Sequence, residues 1–202
     1  IVETVVDEED QGKKAPMMYA VYLSDETQML EWKQKVEDEK LVAALIYLDN
    51  YDEVLDSIEE TRRPLLIALI DRQITKYTSA YHGVIKKLEN DKYFAIVSNE
   101  HLKEMQANDF SLLEDVKTIS IGNTINVTIS IGLGINGGTY SKNYDYARMA
   151  IDMALGRGGD QVVLKNQDEI TYYGGRTQSQ GKNTRVKARV KAQALKRHLL
   201  MC

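Results

Sequence analysis

The order of apolar and polar positions along the chain predicts a buried sheet. Leu41–Asn50 reads LVAALIYLDN, which is typical of a core strand that ends in an acid. Two apolar runs, Val84–Leu88 and Tyr93–Val97, flank Glu-Asn-Asp-Lys and predict a hairpin, because Asn and Asp tolerate the left-handed conformations of a tight turn. Further strands are predicted at Met17–Leu23, Thr118–Ile121, Asn126–Gly134 and Gln161–Lys165.

Helical patterns alternate with these strands. Ser24-Asp25-Glu26 offers a cap for a helix over Thr27–Lys40, which carries one apolar stripe. This helix either couples a preceding domain to the next one, where it could also dimerise, or packs on its own domain. The other predicted helices are Tyr51–Thr61, Leu65–Tyr77, Leu102–Val116 with an interruption near Asn108-Asp109, Tyr144–Leu155 and Lys182–Leu200. Helices placed between strands predict an α/β fold.

Composition narrows the class of protein. The 202 residues include one Cys, at position 202, so a disulfide framework is excluded and a reducing compartment is expected. No run approaches 18 apolar residues, and there is neither a signal peptide nor an initiator Met. We therefore expect a soluble fragment of a longer protein.

Charge is unevenly distributed. After Glu169 the chain carries eight Lys or Arg residues and no acid, although the net charge of the whole is −4. A basic tail can meet nucleic acid, a membrane surface or an acidic partner, but a solvated helix face beside another domain is the simpler interpretation. We expect no nucleic-acid partner.

A glycine motif needs a separate interpretation. Gly132–Gly137 satisfies G-x-G-x-x-G after a strand, but a dinucleotide site requires a helix that begins at those glycines. Gly138–Asn143 instead extends the loop. We expect Gly132 and Gly134 to end a strand beside the central sheet.

The hairpin carries a resemblance to the GGDEF domain, the diguanylate cyclase fold. Asn90, Asp91, Lys92, Tyr93 and Phe94 stand where Gly-Gly-Asp-Glu-Phe should, and Ala95-Ile96-Val97 continues as in that family. The signature is therefore degenerate. The resemblance implies an α/β (α+β) fold with a central, mostly antiparallel sheet flanked by helices.

Other segments resemble a narrower group, the GdpP/YybT family of cyclic di-AMP phosphodiesterases. They are Leu48–Glu53, Thr128–Gly132, Ala147–Val163, Tyr172–Thr177 and Thr184–Val190. The resemblance implies that residues 1–23 are the end of a PAS sensor domain or a linker strand. It also implies that 24–40 form the coupling helix, 41–166 the degenerate GGDEF domain, and 167–202 a basic linker.

That family implies a parent protein in the bacterial cell membrane, with this domain in the cytoplasm. Its DHH/DHHA1 domain, which lies beyond this chain, holds manganese and hydrolyses cyclic di-AMP to pApA. The Asp-His-His motif is absent here, and His82, His101 and His198 look isolated, with no spacing that predicts a metal site. The resemblance also places a product-inhibition motif at Tyr81–Val84, where Tyr-His-Gly-Val does not match it.

A working cyclase holds two metal ions between the strand-end Asp and the hairpin acids. Here Asp49 remains, while Lys92 and Tyr93 replace the two acids, so cyclase activity is not expected. Asp49, Asn50 and Lys92 are the candidate nucleotide and metal residues, with Asp49 as the one candidate ligand for Mg²⁺.

Three functions remain open. The first is a regulatory relay between sensor and catalytic domain that lacks cyclase activity. The second is weak, Mg²⁺-dependent ATP binding or hydrolysis, with Lys92 near the phosphates. The third is a dimerisation or interaction domain that binds no nucleotide. The flanking helices predict a homodimer.

Overall fold

The computed structural model describes residues 24–175. The chain divides into two units, Ile1–Val36 and Glu37–Cys202. The expectations for residues 1–23, the end of the basic linker and the helix over Lys182–Leu200 lie outside the described residues. No helix within residues 24–175 is both long and apolar enough to cross a bilayer.

The described helices and strands follow the predicted order, except that no strand forms at Thr118–Ile121 and an unpredicted strand forms at Ile170–Gly174. Helix α1 covers Thr27–Asp38. The strands are β1 Leu41–Leu48, β2 Val84–Glu89, β3 Lys92–Ser98, β4 Ile129–Gly134, β5 Gln161–Lys165 and β6 Ile170–Gly174. The remaining helices are α2 Tyr51–Asp56, α3 Arg63–Ala80, α4 Asn99–Ala107, α5 Leu112–Lys117 and α6 Tyr140–Gly156, with a 3₁₀ turn at Glu60–Arg62.

The six strands form one sheet in the order β2-β3-β1-β4-β5-β6. Only the β4–β5 pairing is parallel among the described strands, so the expected mostly antiparallel sheet is confirmed. Strand β1 lies in the middle, where Tyr47 faces Lys92 of β3 and Leu48 faces Ile129 of β4. The sheet also continues into Ile170–Gly174, within the range that the sequence assigns to the basic linker.

Side chains alternate between the two faces of the sheet, as strand geometry requires. Val42, Ala44, Ile46 and Leu48 of β1 join the larger core, which also takes residues from α2 to α5. Ala43 and Leu45 face α6 and pack with Ala147 and Ile151. Strand β1, which Asp49 follows, is thus covered on both faces.

The predicted strand at Thr118–Ile121 is wrong. This segment is an irregular loop organised by Asn123, whose side-chain oxygen accepts from the Ile121 N–H at 3.0 Å. The Asn123 amide donates to the carbonyls of Ile119 at 3.3 Å and Ile125 at 2.8 Å. These local bonds take backbone groups that a strand would use in a sheet.

Gly132 and Gly134 allow α6 to lie directly on β4. A Cβ atom at Gly132 would lie 2.4 Å from the backbone nitrogen of Ile151, and one at Gly134 would lie 1.9 Å from the backbone oxygen of Asn143. The two glycines thus end a strand, as predicted, but the loop after them is shorter than expected, because α6 begins at Tyr140. Asn143 strengthens the contact, since its amide donates to the Leu41 carbonyl at 2.9 Å and its oxygen accepts from the Gly137 N–H at 2.7 Å.

We expect Gly134→Ala to destabilise the domain by about 3 kcal/mol or more, because the added methyl group meets helix backbone that cannot move aside. Gly156→Ala is the matched control, since a Cβ there meets nothing within 4 Å and the site is helical, so it should be neutral or stabilising by up to about 1 kcal/mol. Urea unfolding of both variants measures the difference, and equal stabilities would contradict the close approach of α6.

Candidate functional site

Asp49 follows β1 and lies where three strands approach each other. Its Oδ1 accepts from the Ser130 hydroxyl of β4 at 2.6 Å, and its Oδ2 accepts from the backbone N–H of Asp160, just before β5, at 2.8 Å. A Cβ atom at Gly159, which has φ +80°, would lie 2.7 Å from the Asp49 carboxyl carbon. The glycine turn therefore wraps around the carboxylate.

The enclosure changes the protonation of Asp49. Although part of the residue reaches the surface, burial of its carboxylate raises the pKa to about 6, against the hydrogen bonds from Ser130 and Asp160, which lower it. The nearby charge of Asp160 raises it further. Asp49 is thus a carboxyl group held by hydrogen bonds within the fold, with part of the residue at the surface.

Asp160 has its own cation. Lys117 lies 2.8 Å from the Asp160 carboxylate and also 2.8 Å from Glu114. Burial alone would lower the pKa of Lys117, but these two acidic partners raise it overall. The charge of Lys117 is therefore directed to Asp160 and Glu114 at this end of the sheet.

Asn50 ties the same strand end to the segment before β4. Its side-chain amide donates to the Asn126 carbonyl at 2.8 Å, and its oxygen accepts from the Thr128 N–H at 3.1 Å. The Asp49 N–H donates to the Thr128 carbonyl at 2.9 Å. Both polar groups of Asn50 serve a backbone connection that sequence spacing does not reveal.

The hairpin turn places Asn90 and Asp91 at its tip. The Asp91 carbonyl accepts from the Leu48 N–H at 2.8 Å, which fixes the hairpin to the end of β1. Lys92 begins β3, forms an ion pair with Glu89, and lies with its ammonium nitrogen 5.6 Å from the centre of the Tyr47 ring. Lys92 is thus paired with Glu89 and Tyr47 rather than with Asp49.

Tyr93 points to the opposite face of the sheet from Lys92. It is buried, and its hydroxyl donates to Asp71 of α3. Lys87 lies 2.8 Å from the same Asp71 carboxylate and over the Tyr93 ring. Burial, followed by the contact with Asp71, raises the pKa of Tyr93 above its usual value. This signature position therefore carries a neutral phenol that fastens β3 to α3.

Tyr47 is a site residue that the motif analysis missed. It is the cross-strand partner of Lys92, and burial raises its pKa to about 12. Phe94, the last signature residue, packs with Leu45 on the same face and contacts the Tyr144 ring edge-on at 5.6 Å between ring centres. Pairing the end of β1 with the start of the hairpin would have identified Tyr47.

The histidine prediction needs a correction. His82 and His101 are adjacent in the structure, with ring centres 5.2 Å apart, because the turn after α3 meets the first turn of α4. Sequence spacing hid this contact, and His198 lies outside the described residues. Within residues 24–175, no group of three or more His, Cys, Asp or Glu side chains is arranged to hold a metal ion.

The architecture defines a class of protein, the GGDEF fold. The chain superposes on the active GGEEF domain of a diguanylate cyclase from Vibrio cholerae with a TM-score of 0.53, at 12% identity, over 68% of this chain and 89% of that one. The GGDEF domain of DgcB from Caulobacter crescentus, solved with c-di-GMP, gives 0.52 at 12% identity over 69% and 84%. Identities this low establish the fold alone.

Sequence comparison gives the particular family. Residues 46–172 match the family model of the cyclic-di-AMP phosphodiesterase GdpP-like GGDEF domain, and the chain belongs to this family. It is 35% identical over 176 residues to the cyclic-di-AMP phosphodiesterase PdeA of Listeria monocytogenes, and 32% identical over 177 residues to GdpP of Geobacillus thermodenitrificans. Each alignment covers 87% of this chain and 27% of the relative, so the chain spans about a quarter of those proteins.

The enclosed carboxyl group predicts a specific pH dependence. Because the folded-state pKa of Asp49 is raised, its contribution to stability is full below about pH 4 and is lost as pH rises through about 6, a change of about 3 kcal/mol. Asp49→Asn removes this titration and can still accept from the Asp160 N–H and donate to Ser130. We expect the variant to gain stability relative to the parent as pH rises from 4 to 8.

Urea unfolding of both proteins across that pH range measures the effect. Asp49→Ala provides the comparison, since it leaves the Ser130 hydroxyl and the Asp160 N–H without their partner and should destabilise the fold at every pH. A stability difference between parent and Asp49→Asn that does not change with pH would contradict the raised pKa.

Proposed function

We propose that this chain is the regulatory GGDEF-like module of a longer phosphodiesterase that hydrolyses cyclic di-AMP to pApA at a DHH domain. In this proposal the module relays a signal from a sensor domain to the catalytic domain and makes no cyclic dinucleotide. The family assignment and the coverage of only about a quarter of the relatives support a role as one module within a larger enzyme.

The arrangement of charged groups argues against cyclase chemistry. Two-metal catalysis needs carboxylates directed at the ions. At the hairpin, Lys92 would repel a divalent cation, and the Tyr93 hydroxyl already donates a hydrogen bond to Asp71. Each oxygen of Asp49 already accepts a hydrogen bond, from Ser130 or from the Asp160 N–H, so only its remaining lone pairs are left for a metal ion.

The observation that carries the relay proposal is the junction at which the chain enters the sheet. The Asn99 amide donates to the Glu37 carbonyl at 3.1 Å, and the Asn99 N–H donates to the Lys40 carbonyl at 2.8 Å. Lys103 pairs with Asp38 at 2.6 Å. Glu37 and Asp38 end α1, so a shift of that helix end would pull on α4 and on the start of β1.

The output side of the module is strand β6. It pairs with β5 at the sheet edge, and it is tied to the helices, because the Tyr173 hydroxyl accepts from Gln106 of α4 at 2.8 Å and the Tyr173 ring contacts Phe110. Helix α4 therefore touches both the entry junction and the last described strand. Such a helix can transmit a displacement from the junction to the strand if it populates two alternative positions.

The relay is tested in the longer protein. Lys103→Glu reverses one charge of the entry junction and should change the rate of cyclic di-AMP hydrolysis, or its response to the sensor's signal, by about threefold or more. Lys76→Glu is the matched control, since Lys76 is an exposed residue of α3 and the charge change is the same. Equal rates and responses in parent and both variants would contradict the relay.

Weak ATP binding at Asp49, Asn50 and Lys92 with Mg²⁺ is the competing proposal. What favours it is the partial exposure of Lys92, whose side chain is 26% accessible and could reach a phosphate. It requires Asp49 to bind the metal ion through the lone pairs that its hydrogen bonds to Ser130 and Asp160 leave free. A nucleotide held there would make the module an ATP sensor or a slow ATPase.

Calorimetric titration of ATP with Mg²⁺ separates the two proposals. Under the relay proposal, the parent chain binds ATP no more tightly than Asp49→Asn or Lys92→Gln. A tenfold or larger loss of affinity in both variants would instead establish the nucleotide site. Asp49→Asn suits this experiment because it removes the charge while keeping the hydrogen bonds that hold the strand end.

A further inference from the structure

The turn between α3 and β2 holds a histidine in a constrained position. His82 has φ +52°, a left-handed conformation that favours glycine. Its N–H donates to the Ser79 carbonyl at 3.0 Å, and the following Gly83 N–H donates to the Thr78 carbonyl at 3.0 Å. The end of helix α3 therefore fixes the direction in which the His82 side chain leaves the backbone.

The facing histidine is fixed by a helix cap. His101 lies in the first turn of α4, and its Nδ1 is 2.6 Å from the hydroxyl oxygen of Ser98, the capping residue. The same hydroxyl accepts from the His101 N–H at 3.4 Å. Nε2 is therefore the nitrogen of this ring left for another ligand. A second hydrogen bond that orients a ring in this way is the usual support of a metal-binding histidine.

The spacing of the rings fits a shared ion. A metal ion bound to one nitrogen of each ring at about 2.1 Å, with a tetrahedral angle between the bonds, puts the ring centres about 5 Å apart. The observed separation is 5.2 Å, and the ring planes are inclined at 54°. Parallel stacking would instead bring the planes close to alignment.

We propose that His82 and His101 form a two-histidine site for a first-row divalent transition-metal ion such as Zn²⁺ or Ni²⁺, with water in the remaining coordination positions. Imidazole nitrogen is a preferred ligand of these ions, whereas Mg²⁺ prefers oxygen. His82 is exposed and His101 is half-buried, so the ion has access from solvent.

The site lies beside the junction described above. His101 is two residues from Asn99, which donates to the Lys40 and Glu37 carbonyls. It is also two residues from Lys103, which pairs with Asp38. An ion bridging the two rings clamps the end of α3 to the start of α4. It therefore stiffens the entry to the sheet without contacting Asp49, Lys92 or Tyr93.

The test is a calorimetric titration of ZnCl₂, and separately of NiCl₂, into the full chain without a purification tag. The background carries His198→Ala and Cys202→Ser, which remove the other imidazole and the thiol. We expect one ion per chain. His82→Asn keeps a residue that tolerates the left-handed conformation, and His101→Gln keeps a good helix former, so each should fold normally while losing at least tenfold in affinity.

Circular dichroism without metal checks that both variants fold like the parent. Electron paramagnetic resonance with Cu²⁺ supplies a readout of the ligands, with coupling to two imidazole nitrogens expected in the parent and one in either variant. Absence of binding in the parent, or undiminished affinity in either variant, overturns the proposal.

Discussion

The close approach of helix α6 to strand β4 is the contact on which the rest of the domain depends. It exists because Gly132 and Gly134 leave no side chain between the strand and the backbone of Asn143, Ala147 and Ile151. With the helix seated there, the turn that follows it brings Gly159 and Asp160 to Asp49. The G-x-G-x-x-G pattern thus acts through helix packing rather than through nucleotide binding. By placing α6, it also determines the surroundings of Asp49.

The hairpin and the strand end form one connected structure with little free polar capacity. Asp49 and Asn50 bind backbone and hydroxyl groups of the β4 and β5 segments. Lys92 is engaged by Glu89 and the Tyr47 ring, and Tyr93 by Asp71. Each group at a position where a cyclase would expose charge to nucleotide and metal thus has a partner within the domain. Such internal pairing makes this end of the sheet rigid.

How much the sequence predicts depends on the range of the interactions. Strand β1, the hairpin and β5 follow from local apolar patterns, and the fold follows from the hairpin resemblance. The sequence predicted a strand at Thr118–Ile121 instead of a loop, because the hydrogen bonds of one side chain, Asn123, outweigh the β propensity of its neighbours. The enclosure of Asp49 depends on a turn 110 positions later, and the contact of His82 with His101 depends on how two helices meet. Neither leaves a local signal.

The position of β1 at the centre of the sheet also shapes synthesis of the protein. This apolar strand leaves the ribosome before both of its partners, since β3 follows about 50 residues later and β4 about 85 residues later. Until then both of its edges offer unpaired backbone groups to other chains. Long-range pairing of this kind slows folding and exposes intermediates to aggregation. The nascent chain therefore depends on the hairpin to cover one edge of β1 while the other waits for β4.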